Sequence, residues 1–119
     1  MPDNPRKLEF TSEFKRNIRT LVKRYRNIRQ DVEPLLDRLQ AGEILGDRVS
    51  GTGYEIYKVR LKNSDVRKGK SGGYRLIYYV KLPTAIVLVT IYSKSDRSDI
   101  PAKEIAGIVK RHSNDRRST

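Results

Sequence analysis

The runs Tyr74-Arg75-Leu76-Ile77-Tyr78-Tyr79-Val80-Lys81 and Ala85-Ile86-Val87-Leu88-Val89-Thr90-Ile91-Tyr92-Ser93, joined by Leu82-Pro83-Thr84, decide the fold. Both are rich in β-branched and aromatic residues, and the proline in the short joint reads as a hairpin loop, so the pair predicts adjacent antiparallel strands. The second run is apolar on both faces from Ile86 to Ile91, as expected of a central strand covered on both sides. In the first, alternation puts Tyr74, Leu76, Tyr78 and Val80 on one face and Arg75, Ile77 and Tyr79 on the other.

Toward the N-terminus a third strand-like run extends from Tyr54 to Lys62, completing an antiparallel meander. Its alternation sets Tyr57, Val59 and Leu61 toward a core and Lys58, Arg60 and Lys62 on the opposite face. The loop between these runs holds Arg67, Lys68 and Lys70, so seven basic residues fall between Tyr54 and Arg75 against Glu55 and Asp65. Gly69, Gly72 and Gly73 lack the spacing of either common nucleotide fingerprint; they permit a turn and a close approach of strands.

Earlier in the chain, Leu8-Glu9-Phe10 alternates briefly as a short strand, and Thr11-Ser12-Glu13 supplies a helix cap with an acid in the first turn. Phe14, Ile18, Leu21, Val22 and Tyr25 then recur at helical spacing, with Lys15, Arg16, Arg19, Lys23, Arg24 and Arg26 on the remaining faces. A second helical stripe, Ile28, Val32, Leu35, Leu36 and Leu39, ends at Gly42; Pro34 predicts a start near Asp31 or a kink. Residues 43–53 read as an irregular connection. Asp99 and Pro101 signal a short C-terminal helix through about Val109, and residues 112–119 read as a flexible tail. The whole predicts one α+β domain over residues 1–119, an antiparallel sheet with two N-terminal helices on one face and the cationic residues on the other.

With 26 Lys+Arg against 14 Asp+Glu, the formal net charge of +12 favours a polyanionic partner, nucleic acid before an acidic protein. No basic stretch is paired with a strongly apolar helical face, which argues against a membrane partner. The chain has no cysteine, which excludes disulfides, thiolate nucleophiles and cysteine-based zinc sites, and its N-terminus lacks an apolar signal core. A cytoplasmic location is expected.

The clustered cations suit phosphate, Arg as a planar fork and Lys as a point charge. If Arg75 shares a surface with Lys58 and Arg60, the three can hold a phosphodiester and stabilise charge developing at phosphorus. The same residues can equally form a solvated face that binds phosphate backbones without chemistry. Tyr92 and Lys94, at the end of the last strand, lie within sequence reach of that surface. His112 stands alone in the tail, and Asp96, Asp99 and Glu104 sit in surroundings too basic for a divalent cation, so neither metal nor cofactor is expected.

The order of elements, with Gly72-Gly73-Tyr74-Arg75-Leu76-Ile77-Tyr78-Tyr79 and Ile91-Tyr92-Ser93-Lys94-Ser95-Asp96-Arg97-Ser98-Asp99, resembles the RelE/ParE toxin superfamily, in its RelE/HigB-like branch. The resemblance implies the toxin of a bacterial type II toxin-antitoxin pair, neutralised by a cognate antitoxin protein. It implies a ribosome-dependent mRNA endonuclease that works in the ribosomal A site without metal. The RNA 2′-hydroxyl is the nucleophile and a 2′,3′-cyclic phosphate is left. Lys58 and Arg60 match the family's paired basic positions and Arg75 its Gly-Tyr-Arg arginine; Lys62, Arg67, Lys70, Tyr92 and Lys94 are further candidates for catalysis or RNA binding. Ser95 and Pro101 stand where the family often has a basic residue and a tyrosine, so those two roles are not carried over. A ParE-like gyrase inhibitor and a nonenzymatic RNA-binding relative are the alternative functions.

Overall fold

In the computed structural model, which describes residues 5–66 and 72–117, alternation and helical periodicity resolve into eight elements. They are β1 (Lys7–Phe10), α1 (Ser12–Val22), α2 (Ile28–Gln40), β2 (Asp47–Val49), β3 (Ile56–Leu61), β4 (Tyr74–Leu82), β5 (Ala85–Ser93) and α3 (Ala102–Arg117). The five strands form one open sheet in the order β1-β5-β4-β3-β2. β3, β4 and β5 make the expected antiparallel meander, and β5, buried along its whole length, lies inside the sheet.

Thr11 caps α1 as its sequence predicts: its hydroxyl accepts from the Phe14 amide and donates to the Val89 carbonyl, fastening the helix start to β5. Phe14 and Leu21 from α1, and Ile28, Val32, Leu35 and Leu39 from α2, bury against Val59, Tyr74, Leu76, Tyr78, Ile86, Leu88 and Ile91. The predicted inward faces of β3 and β4 are therefore the observed ones. α2 starts at Ile28 rather than at Asp31 and carries Pro34 inside it. Its first turn is held by the segment after β3: Asp65 accepts from the Asn27 backbone and side-chain amides, and Asp31 accepts from the Ser64 amide and hydroxyl.

Three features depart from the expectation. β1 pairs parallel with β5, so the sheet is not wholly antiparallel. The segment expected to be irregular contains β2, antiparallel to β3, which three residues are too few to announce by alternation. The C-terminal helix is longer than expected. α3 covers the second face of the sheet with Ile105, Ile108 and Val109 on Ile56, Ile77, Val87 and Val89. It then continues to Arg117, and His112, far from an idle tail residue, is mostly buried with Nε2 3.1 Å from Glu9 Oε1.

Candidate functional site

The face of the sheet beneath α3 is divided. Its apolar part lies under the helix, and beyond it the cations of β3 and β4 collect where the two strands are in register, with Lys58 opposite Ile77 and Arg60 opposite Arg75. Two glycines with positive φ bring neighbouring chain close to β3 here. A Cβ on Gly46 would run into the Lys58 carbonyl, and one on Gly73 into the Leu61 carbonyl. Lys58 and Arg60 line a surface hollow of about 300 Å³ with Asp47, Arg48 and Val49.

Arg75 is the unusual member. It is only 6% exposed, its guanidinium donates to the Tyr74 carbonyl at 3.1 Å, and no carboxylate among the described residues forms an ion pair with it. A buried cation without a counter-ion is costly, and directly opposite it stands a second arginine, the exposed Arg60. The pair concentrates positive potential at one spot on rigid sheet.

Tyr92 is Arg75's partner on β5. Its hydroxyl is buried without a hydrogen-bond partner among the described residues, and Arg97 lies over its ring at 5.9 Å. Burial pushes the Tyr92 pKa up and the negative charge of Asp99 adds to the rise, while Arg75 and Arg97 oppose it. Lys94 follows β5, its amide donating to the Gly73 carbonyl, and its charge is felt at Asp99. Structure thus brings Tyr92 beside Arg75, and Lys94 follows just past the end of the same strand as Tyr92. Lys62 is exposed just past β3, and Arg67 and Lys70 lie outside the described residues.

Asp99 was visible in the sequence only as a helix-cap residue or an unlikely metal ligand. Its Oδ1 accepts from Lys58 Nζ at 3.1 Å and from the Ile100 amide at 2.9 Å. These contacts, the amide first and then Lys58, hold its carboxyl below the usual carboxylate range. The contact spans 41 positions of sequence, which no local pattern signals. The three carboxylates considered for a metal are each engaged separately by a cation, Asp96 by Arg24, Asp99 by Lys58 and Glu104 by Arg97. Ser95 bonds to Ser93 at 2.8 Å and acidifies the Tyr25 hydroxyl, so its side chain serves the α1 side of the sheet.

A small basic α+β protein, with an antiparallel meander that gathers cations at the uncovered end of one face, has the RelE-like fold. The family model for the RelE toxin of the RelE/RelB toxin-antitoxin system matches residues 37–115, well over half of the chain. The chain belongs to that family and is a toxin of the toxin-antitoxin type, for which an antitoxin is the implied partner. The match takes in β2 to β5 and therefore Lys58, Arg60, Lys62, Arg75 and Lys94. Among the described residues no helix is long and apolar enough to cross a membrane.

Proposed function

We propose that this toxin is a ribosome-dependent mRNA endonuclease of the RelE/HigB-like kind, inhibiting translation in the cytoplasm by cutting mRNA in the ribosomal A site. The observation that carries the reading is Arg75, a buried guanidinium without a carboxylate partner among the described residues, opposite Arg60 across two paired strands. A protein that needed Arg75 only for structure would neutralise it internally; one that binds a phosphodiester leaves it for the ligand.

In this mechanism the RNA 2′-hydroxyl attacks its own 3′-phosphate, the bond to the 5′-oxygen of the next nucleotide breaks, and a 2′,3′-cyclic phosphate remains. Arg75 and Arg60 stabilise the extra charge on the phosphoryl oxygens in the transition state, and rigid strands hold them there without reorganisation. Lys58 transfers a proton or supports that charge. Tyr92, Lys94 and Lys62, with Arg67 and Lys70 from the loop, supply further contacts to the RNA.

The test incubates the protein with mRNA-programmed ribosomes and maps the 5′ ends produced. Wild type should cut within the A-site codon, and folded Arg75→Ala should lose at least about 100-fold in rate, as expected when one transition-state donor is removed. Near-normal cutting by that variant refutes the assignment. Growth arrest without mRNA cleavage would transfer the protein to the gyrase-inhibitor reading.

A further inference from the structure

A carboxylate stands among the cations of the α3 face. Asp99 precedes α3, two-thirds exposed, with Oδ1 at 3.1 Å from the Lys58 ammonium, which is itself partly buried. Asp47 is the cross-strand neighbour of Lys58, yet the ammonium pairs with Asp99. The Ile100 amide fixes the same carboxylate oxygen, so both hydrogen bonds that Lys58 and Ile100 donate to the Asp99 carboxylate fall on Oδ1. Tyr92 pairs with Arg75 in the sheet, and Lys58, which holds Asp99, lies on the strand paired with that of Arg75, so the carboxylate is tied to the cationic end through Lys58.

We infer that Asp99 and Lys58 act as one hydrogen-bonded acid–base pair, Asp99 taking the proton of the RNA 2′-hydroxyl and Lys58 giving a proton to the departing 5′-oxygen. The inference rests on the endonuclease reading and names the residue that moves each proton. As the O2′–H bond gives its proton to Asp99 Oδ2, O2′ forms a bond to phosphorus and the P–O5′ bond breaks. Its electron pair stays on O5′, which receives the proton from Lys58 Nζ. Asp99 is then a neutral carboxyl and Lys58 a neutral amine at hydrogen-bond distance. One proton passing from the first to the second restores both groups, with no co-reactant.

The contact with Lys58 also times the base. The Ile100 amide, and after it the Lys58 ammonium, hold the carboxylate below its ordinary range. When an incoming phosphate draws on the same ammonium, that stabilisation weakens and the carboxylate gains basicity as the 2′-hydroxyl arrives. A carboxylate base also replaces chemistry that Ser95 and Pro101 do not supply, and it requires no histidine at the site.

The experiment measures single-turnover cleavage on programmed ribosomes by wild type, Asp99→Asn, Lys58→Met and Asp96→Asn, with thermal melting and ribosome binding as fold controls. Each uses two mRNAs, one with the ordinary linkage and one with sulfur in place of the 5′-oxygen at the cut site, a leaving group that needs no proton. The expected result has Asp99→Asn slower by about 100-fold or more on both mRNAs. Lys58→Met should be slow on the ordinary mRNA and largely restored on the sulfur one, while Asp96→Asn matches wild type. Cutting by Asp99→Asn within a few-fold of wild type, or faster with tighter binding, would overturn the inference and make Asp99 an internal competitor of phosphate. Restoration of Asp99→Asn by sulfur would overturn its role as base. Failure of wild type itself to cut either mRNA would instead remove the endonuclease reading.

Discussion

Two buried charges sit on the α3 face near opposite ends of β5, and they are treated differently. Glu9, paired in register with Val87, is 7% exposed and engaged by His112 at 3.1 Å and Lys81 at 3.4 Å. Arg75, paired with Tyr92, is as deeply buried and among the described residues has only a backbone carbonyl. Burial alone does not separate a structural charge from a functional one. The inventory of partners differs: Glu9 is compensated and ties β1, β4 and α3 together, whereas Arg75 has no carboxylate partner among the described residues, which under the proposed function leaves it for the phosphodiester.

The sharpest way to break that contrast is Arg75→Met, which keeps volume and removes charge. Ribosome-dependent cleavage should fall by at least about 100-fold while the melting temperature holds or rises, since an uncompensated buried charge has been removed. A large loss of stability would show that Arg75 is structural after all. Glu9→Ala should do the reverse, lowering stability by about 2–3 kcal/mol in chemical denaturation because Lys81 loses its counter-charge and His112 its hydrogen-bond partner. Its cleavage per folded molecule should match wild type.

Gly73→Ala tests whether the strand ends, and not only the charges, define the cationic end. Its positive φ and the clash with the Leu61 carbonyl predict a loss of more than about 1 kcal/mol, read by denaturant midpoint. The smallest effect belongs to Glu104, whose carboxyl is held below its ordinary range chiefly by its hydrogen bond with Arg97. A depressed carboxyl contributes stability above its unfolded pKa and loses it as pH falls through the folded one. Wild type should therefore exceed Glu104→Gln by less than about 1 kcal/mol near neutrality, and the difference should fade as pH falls below the ordinary carboxylate range. A difference that grew in acid would contradict the assigned direction.

Much of the scaffold was legible because its signals are periodic. The inward set Tyr57, Val59, Leu61, Tyr74, Leu76, Tyr78 and Val80, and the outward set Lys58, Arg60 and Arg75, follow from a period of two. The Thr11 cap follows from the chemistry of one turn. What stayed hidden is either too short to show a period, as in β2, or made by distant positions. The parallel pairing of β1 with β5, the Glu9–His112 contact and the Lys58–Asp99 contact each depend on where elements meet in space. The tail misled because hydropathy does not register a histidine that closes against a buried acid 103 positions away. For the site, residue type identified the cations but not which one would be buried without a counter-charge.

Gly46 and Gly73 bracket the stretch of β3 that bears Lys58 and Arg60. In a genetic selection for cells that survive expression of this toxin, escape mutations at these two glycines should therefore recur beside those at the arginines. Every side chain of the cationic end would be intact in such survivors, and purified protein, once folded at low temperature, should regain part of its potency. Loss of toxicity would then map to two classes of position, chemistry and spacing, and residues without a side chain would populate the second.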